Sequence, residues 1–207
     1  FIEGIRQITP QDIQYAGEMG YLVKPLAIAK QTPQGLEVRV HPTLISKKHL
    51  LADVKDAFNA ITVRGDLVGE TIFYGQGAGR NPTSSAVLAD ILDLAQRIDG
   101  QEKLGSSFHF RSGVQRIKPM EAVSTRYYFR FQVVDRPGVL AQISKLLGRY
   151  RISIASVIQK ETHRTRSVPL VMVTHEARER DVRRAVQAID RLGVVKAHPV
   201  FLRIEEV

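Results

Sequence analysis

The stretch that most constrains this chain runs from Tyr74 to Leu94, where a strand end leads through a glycine-rich loop into a helix. Gly75, Gly77 and Gly79 remove three side chains within five residues, so another backbone or a ligand can approach closely. Two interpretations are open. The loop cradles a phosphate-bearing ligand at the helix start, or it is a tight turn with close helix–sheet packing.

The helix after this loop has clear start signals. Asn81 is a favourable N-cap and Pro82 suits the first helical position. An apolar stripe repeats at helical spacing: Val87, Ile91, Leu94, Ala95 and Ile98. The free N–H groups and the positive dipole end of this helix therefore face whatever lies over the glycines.

The loop departs from the usual dinucleotide-binding fingerprint. That pattern requires glycine at the first, third and sixth places, and when Gly75 is counted as the first place, Arg80 occupies the sixth. No acidic residue follows on a second strand about 20 residues later. Any contact with a dinucleotide here is expected to be secondary, made against a binding domain built elsewhere.

Composition describes an ordinary globular protein. The chain has 207 residues, 43% hydrophobic and 25% charged, and no apolar run long enough to span a membrane. Cysteine is absent, which excludes disulfides and thiolate metal sites and agrees with a cytoplasmic location. The six histidines show no metal-ligand spacing, so we expect no metal. Because the chain begins at Phe1 in what looks like a strand, we expect it to be the C-terminal piece of a longer protein.

The net charge of +9 is concentrated in the second half, with −1 over residues 1–99, +3 over 100–126 and +7 over 127–207. A basic module could bind nucleic acid. However, Arg178, Arg180 and their neighbours alternate with acids along one predicted helix, which is typical of a solvated helix face. We therefore expect neither a nucleic-acid nor a membrane partner.

Local patterns predict an α+β fold for residues 1–99, with an antiparallel or mixed sheet and helices. Thr9, Pro10 and Asp12 predict a helix start, and Gly20 predicts its end. Pro25 lies inside a predicted strand and therefore indicates an edge or a bulge. The predicted strands are Ile2–Ile8, Tyr21–Ala29, Leu36–Val40, Ala60–Gly65 and Leu67–Tyr74, with a short helix around Leu50–Val54.

Residues 100–125 are polar and predict a linker. From residue 126 to residue 207 the predicted order is strand, helix, strand, strand, helix, strand, which is the ferredoxin-like βαββαβ arrangement. The turn Asp135-Arg136-Pro137-Gly138 joins the first strand to the first helix.

Two motifs make the chain recognisable. Asp135-Arg136-Pro137-Gly138-Val139-Leu140, inside the βαββαβ unit, resembles the ACT domain, a module that senses small molecules. Gly75–Ala95, with its GAG-x-x-PT-x-SAV pattern, and Glu3–Lys30 together resemble the homoserine dehydrogenase family. In that family a nucleotide domain precedes a catalytic and dimerisation sheet, and an ACT domain often follows. The resemblance covers essentially the whole chain.

The resemblance implies an enzyme that reduces L-aspartate 4-semialdehyde to L-homoserine with NAD or NADP, in the pathway to threonine and methionine. It implies that Gly77, Ala78 and Gly79 approach the cofactor, whose main binding domain lies upstream. The family's catalytic lysine belongs to an Asp-x-x-x-Lys motif just upstream of the segment that matches Glu3, so we assign no catalytic residue here. Lys24 and Lys30 are interpreted as structural.

The resemblance also implies a homodimer or homotetramer, with ACT domains paired side by side around an amino-acid effector, threonine being the natural candidate. The implied effector residues are Asp135, Gly138, Val139 and Leu140, with partner contacts from Ile154, Ala155 and Ser156. Asp135 can receive the ligand's ammonium group or cap the helix, and the sequence leaves both roles open. The alternative is a stand-alone amino-acid-binding regulatory protein whose first domain only dimerises.

One departure bears on the ACT domain's first helix. The glycine expected after that helix is absent near Tyr150 and Arg151, so the helix must be capped in another way.

Overall fold

The computed structural model describes residues 1–98, 116–159 and 167–206, and the linker predicted at 100–125 falls mostly outside them. The described residues form two compact units: residues 1–49 with 116–206, and residues 50–98. No helix in these ranges is long and apolar enough to cross a membrane.

The first unit contains a mixed sheet with helices on both faces. Its strands are β1 Tyr21–Thr32, β2 Gly35–Ser46, β5 Ser124–Val133, β6 Ile154–Gln159, β7 Val168–Thr174, β8 Ala177–Arg178 and β9 Val195–Ile204. Its helices are α1 Pro10–Glu18, α3 Val139–Arg149 and α4 Glu179–Asp190, with a 3₁₀ turn at Met120–Ala122.

The predicted ferredoxin-like arrangement is confirmed. The strand order β9-β5-β7-β6, with α3 after β5 and α4 before β9, is the βαββαβ unit, and the two-residue β8 is a small addition beside β5. One face of this sheet carries the main core, in which Phe129, Phe131, Ile143, Leu147 and Ile189 are fully buried.

The hairpin of β1 and β2 extends the same sheet. β2 pairs in parallel with β9 through Thr43 opposite Arg203 and Leu44 opposite Ile204, which gives the order β1-β2-β9-β5-β7-β6. β1 is therefore an edge strand, as Pro25 predicted.

Helix α1 covers the second face of the sheet. Thr9 and Asp12 form a capping box at its start, and Gly20 follows its end with φ +85°, as the sequence predicted. Tyr15 and Ala16 pack against a core that includes Leu44 and Tyr128.

The predicted strand Ile2–Ile8 is wrong. Only a short extended segment exists: Ile2 bridges Val40, and the N–H of Glu3 donates to the Val40 carbonyl at 2.9 Å. The N–H of Ile8 then donates to the Ile5 carbonyl, so the chain turns before α1 instead of continuing as a strand. The alternation of apolar and polar residues from Ile2 to Ile8 did not produce a strand, because beyond Val40 the edge of β2 is already paired with β9.

The second unit contains a 3₁₀ turn at Leu50–Asp53, strands β3 Phe58–Gly65 and β4 Gly69–Gln76, and helix α2 Arg80–Ile98. β3 and β4 form the predicted hairpin, although its loop spans residues 66–68. The predicted cap is corrected: α2 starts at Arg80, and the N–H of Thr83 donates to the Gly79 carbonyl, so Asn81 and Pro82 lie inside the first turn. No residue of α2 is buried, so the other described residues leave its apolar stripe uncovered.

The missing helix-end glycine is replaced by Arg151 in the left-handed conformation, with φ +60°. The N–H of Arg151 donates to the Gly148 carbonyl and the N–H of Ile152 donates to the Leu147 carbonyl, both at 2.9 Å. These two bonds form a Schellman cap on α3 with an unfavourable residue at its left-handed position.

Arg151→Gly is expected to stabilise the protein by about 0.5–1 kcal/mol, because glycine removes the steric strain of the left-handed conformation. The greater conformational entropy of glycine in the unfolded chain offsets only part of this gain. Urea unfolding would measure this. The matched control is Lys145→Gly, at an exposed position inside α3, which should destabilise by about 1 kcal/mol. No gain for Arg151→Gly would show that this cap is not strained.

Candidate functional site

The turn between β5 and α3 borders a cavity of about 450 Å³. Every effector residue predicted on this turn lines the cavity. Residues of the turn itself and of β5, β6 and β7 form the whole lining: Val133, Val134, Asp135, Arg136, Pro137, Gly138, Val139, Leu140, Gln159 and Leu170. The cavity is large enough for one amino acid. Arg136, Gln159 and Leu170 were not predicted, and the parallel course of β5 and β6 is the signal that could have indicated Gln159.

The cavity presents complementary polar groups. Gly138 is the N-cap of α3 with φ +88° and supplies no side-chain cap. The N–H of Val139 makes only a long hydrogen bond of 3.5 Å to the Arg136 carbonyl, so the start of α3 can still receive a carboxylate. Asp135 is exposed and does not cap α3, which disfavours the capping role that the sequence left open. Asp135 and Arg136 thus place one negative and one positive charge beside the helix start.

The predicted partner residues Ile154, Ala155 and Ser156 lie at the start of β6, whereas Gln159 at its end lines the cavity. The two ends are separated by roughly 16 Å of strand. In one copy of the chain these three residues are therefore remote from the turn. If the outer edges of β6 from two copies paired antiparallel, the start of one β6 would lie beside the end of the other.

In the glycine-rich loop of the second unit, packing within the unit requires glycine at one position and backbone conformation favours it at another. A Cβ on Gly77 would lie 1.5 Å from Asn59 Nδ2, so the Asn59 side chain fills that space. Gly79 has φ +135° immediately before α2, a conformation that side chains rarely adopt. Gly75 has open space where a Cβ would lie. A cofactor could approach this loop at Gly75 and at the start of α2. The contacts of Gly77, Ala78 and Gly79 with the cofactor stay a prediction.

Sequence reasoning missed the buried ion clusters of the first unit. Glu179, at the start of α4 and fully buried, accepts hydrogen bonds from Arg203 Nη2 at 2.5 Å, Arg203 Nε at 2.9 Å and the Tyr127 hydroxyl at 2.8 Å. Arg183 Nε also donates to Glu179, and Arg203 reaches Glu3. Burial alone would raise the pKa of Glu179, but the bonds from Arg203 and Tyr127 outweigh it and lower the pKa.

A second cluster attaches α1 to the sheet. Asp12 accepts from Arg130 Nε at 2.6 Å, Arg130 Nη2 at 3.0 Å and the Tyr128 hydroxyl at 3.2 Å, besides capping α1 with Thr9. Burial opposes ionisation, yet the hydrogen bonds from Arg130 and Thr9 lower the pKa of Asp12 below its ordinary value.

A third cluster lies under the hairpin. Arg39 Nη2 donates to Glu205 at 2.6 Å, and Lys118 pairs with Glu37 at 2.8 Å. Lys30 also pairs with Glu205, which agrees with its interpretation as structural. Among the described residues, no group of three or more His, Asp or Glu side chains is placed to hold a metal ion.

Two protein-family models match separate parts of the chain. Residues 1–92 match the family model "Homoserine dehydrogenase" and residues 127–194 match the model "ACT domain". Homoserine dehydrogenases from Neisseria gonorrhoeae and Pseudomonas aeruginosa are each 39% identical to the chain over all of its length. The chain spans only 48% and 49% of those two relatives, or about half.

Solved structures give the same result. The crystal structure of a homoserine dehydrogenase from Thiobacillus denitrificans is 41% identical, with a TM-score of 0.86 over 99% of this chain and 47% of that one. The S. aureus homoserine dehydrogenase at pH 7.0 is 27% identical, with a TM-score of 0.60 over 98% of this chain and 46% of that one.

Proposed function

We propose that this chain, which carries the homoserine dehydrogenase family domain and an ACT domain, is the C-terminal part of a homoserine dehydrogenase. The observation that carries the proposal is the match over 99% of the chain, at 41% identity, to a solved homoserine dehydrogenase. The proposed domains are residues 1–99 (catalytic and dimerisation), 100–125 (linker) and 126–207 (ACT), in a cytoplasmic enzyme.

The proposed reaction is the reduction of L-aspartate 4-semialdehyde to L-homoserine. NAD(P)H supplies a hydride to the aldehyde carbon, and the carbonyl oxygen gains a proton. In this chain, the loop of Gly77, Ala78 and Gly79 and the start of α2 would lie against the cofactor, with Gly75 leaving room for its approach.

The 207-residue chain alone is expected to have no dehydrogenase activity, because the nucleotide domain and the catalytic lysine are proposed to lie outside it. A spectrophotometric assay of NADPH oxidation with aspartate semialdehyde checks this, with a complete homoserine dehydrogenase, such as the Pseudomonas aeruginosa relative, as the positive control. Turnover by the chain alone would contradict the proposal that the nucleotide domain and the catalytic lysine lie outside it.

We further propose that the cavity beside Asp135 and Gly138 binds an amino-acid effector, threonine being the candidate. The ligand's ammonium group would pair with Asp135, and its carboxylate would accept hydrogen bonds from the first N–H groups of α3. Side-by-side pairing of two copies through β6 would bring Ile154, Ala155 and Ser156 of the second copy to this cavity. The exposed edge of β6 and the cavity at its end support this arrangement.

Calorimetry with L-threonine tests the effector site on the wild type and two variants. Gly138→Asp places a negative charge beside the proposed carboxylate position and is expected to weaken binding at least about 100-fold. Gly138→Ala is the matched control, since both variants share the strain of a side chain at φ +88° and only one adds charge. Absence of threonine binding by the wild type, or equal binding by both variants, would refute threonine at this site.

The proposed assembly is a homodimer or a homotetramer. Its support is the apolar surface that the strands of the first part of the chain leave uncovered.

A further inference from the structure

The first unit contains a second cavity, the arginine cavity, which is bordered by Arg178 and Arg180 and shares no lining residue with the effector cavity. Its volume is about 600 Å³, within the range of small-molecule sites. Three segments that are distant in sequence form its wall. They are the turn of the β1–β2 hairpin at Gln34, the residues around the 3₁₀ turn Met120–Ala122, and the junction of β8 with α4.

Backbone hydrogen bonds hold these three segments together. The N–H of Leu36 donates to the Arg116 carbonyl at 2.8 Å, and the N–H of Lys118 donates to the Leu36 carbonyl at 2.9 Å. The N–H of Glu179 donates to the Val123 carbonyl at 2.9 Å. The wall is therefore fixed before a ligand enters, which lowers the ordering cost of binding.

The start of α4 brings two exposed arginines, Arg178 and Arg180, to the wall of this cavity. The alternation of bases and acids along this part of the sequence predicted a solvated helix face. The structure changes that interpretation, because Glu179, which separates the two arginines, is fully buried and binds Arg203. Glu179 therefore does not neutralise Arg178 and Arg180 at the surface.

The other charges at the arginine cavity leave it positive. Asp181 lies 3.6 Å from Arg180 Nε, a long contact between partly exposed groups. Lys118 also lines the cavity and shares its charge with Glu37 at 2.8 Å. Among the described residues of the lining, Glu121 is the single acid beside three bases. A concave site with a surplus of positive charge attracts anions.

The uncharged part of the lining suits an organic group. Pro119 and Ala122 offer apolar contacts, while Gln34 and Ser124 offer an amide and a hydroxyl for hydrogen bonds. A phosphate ion alone would fill only a small part of about 600 Å³. The cavity therefore fits an anion that carries a larger organic group.

We propose that the arginine cavity binds a nucleoside phosphate, with the phosphates held by Arg178 and Arg180 and the base and sugar against Pro119 and Ala122. The planar guanidinium group matches phosphate oxygens in both geometry and charge. This site goes beyond the proposed dehydrogenase reaction. The loop proposed to approach the nicotinamide cofactor, residues 77–79, belongs to the second unit, whereas the arginine cavity lies in the first.

Calorimetry with ADP on the 207-residue chain tests this proposal, at low ionic strength because salt screens charged contacts. ADP is expected to bind. Adenosine and inorganic phosphate are each expected to bind at least about 10-fold more weakly, because each makes only part of the contacts.

Arg178→Ala and Arg180→Ala are each expected to weaken ADP binding about 10-fold or more, because each removes a charge-assisted hydrogen bond. Both positions are exposed, so the variants are expected to remain folded, which circular dichroism checks. The matched control is Arg184→Ala, which removes the same charge from an exposed position of the same helix outside the cavity. It is expected to leave the affinity for ADP unchanged within about two-fold.

Nuclear magnetic resonance locates the bound ADP. Signals of the backbone N–H groups in residues 118–124 and 178–180 are expected to shift during the titration. Shifts centred on residues 135–140 would place ADP in the effector cavity, and shifts centred on residues 75–79 would place it on the glycine-rich loop. Either result would overturn the proposal.

Three further results would also contradict it. ADP that produces neither heat nor signal shifts does not bind. Equal weakening by Arg184→Ala and Arg178→Ala would mean that a basic chain attracts an anion without a defined site. Inorganic phosphate that binds as tightly as ADP would mean that the cavity takes the free ion and makes no use of its organic contacts.

Discussion

Glu179→Ala is expected to destabilise the first unit by about 3–5 kcal/mol, because it leaves the guanidinium of Arg203 buried without its principal partner. Arg203 is 1% exposed, and its remaining acidic contact, Glu3, lies at 3.3 Å and is partly solvated. The Tyr127 hydroxyl and Arg183 would lose their acceptor as well. A loss of this size is a large fraction of the stability of a single domain.

Urea unfolding followed by circular dichroism measures the change. Glu176→Ala is the matched control, since Glu176 is an exposed acid three residues earlier and should shift stability by less than about 0.5 kcal/mol. Glu179→Gln keeps the shape and loses the charge, and we expect an intermediate loss. If Glu179→Ala cost no more than Glu176→Ala, the ion cluster would not contribute to the stability of the fold.

Acidification from pH 7 to pH 5 is expected to cost the protein about 2 kcal/mol through His41 alone. His41 is buried, and burial together with the nearby charges of Arg203 and Arg39 lowers its pKa from 6.5 to about 4. Arg39 Nη1 lies 3.1 Å from His41 Nε2 and can only donate, so this nitrogen must accept and cannot take a proton without losing the bond.

The direction of this effect follows from the lowered pKa. Between pH 6.5 and about pH 4 the unfolded chain binds a proton at His41 and the folded chain does not, so stability falls as the pH falls. The contribution is complete above pH 6.5, and its total is roughly 3 kcal/mol. Asp12 and Glu179, whose pKa values are lowered, add losses in the same direction at more acidic pH.

Urea midpoints at half-unit pH steps from 7.5 to 4.5 measure the effect. His41→Gln should flatten the curve between pH 6.5 and pH 5, whatever its effect on absolute stability. His198→Gln is the control, because His198 is exposed and pairs with Asp190 at the surface. An unchanged slope in the His41→Gln variant would mean that other groups cause the acid sensitivity.

Much of the second half of the fold followed from local sequence patterns. The βαββαβ order could be predicted because each helix and strand there has a clear period and short turns between elements. The start of α1 at Thr9 and Pro10 was predictable because a capping box is a local structure, complete within four residues. The Asp135–Leu140 turn was identified for the same reason, and the structure places it beside a cavity.

Features that join distant residues were not predictable. The pairing of β2 with β9 links positions about 160 residues apart. The ion pair of Asp12 with Arg130 joins α1 to β5. Arg203 on β9 pairs both with Glu179 of α4 and with Glu3 near the start of the chain. Each of these residues alone resembles an ordinary surface charge. The Asn59 side chain beside Gly77 likewise gives that glycine a packing role that spacing along the chain does not reveal.

The segment from Leu36 to His41 shows where the two kinds of information divide. The sequence by itself determined that this segment is a strand with alternating polar and apolar sides, because side-chain direction in a strand has a period of two. Only the tertiary structure decided which side is covered. Glu37 pairs with Lys118 and Arg39 pairs with Glu205, both far along the chain, and His41 lies against Arg39. These contacts bury the polar side while Val38 and Val40 stay exposed. Alternation distinguishes the two sides of a strand, whereas burial depends on which distant groups pack over each.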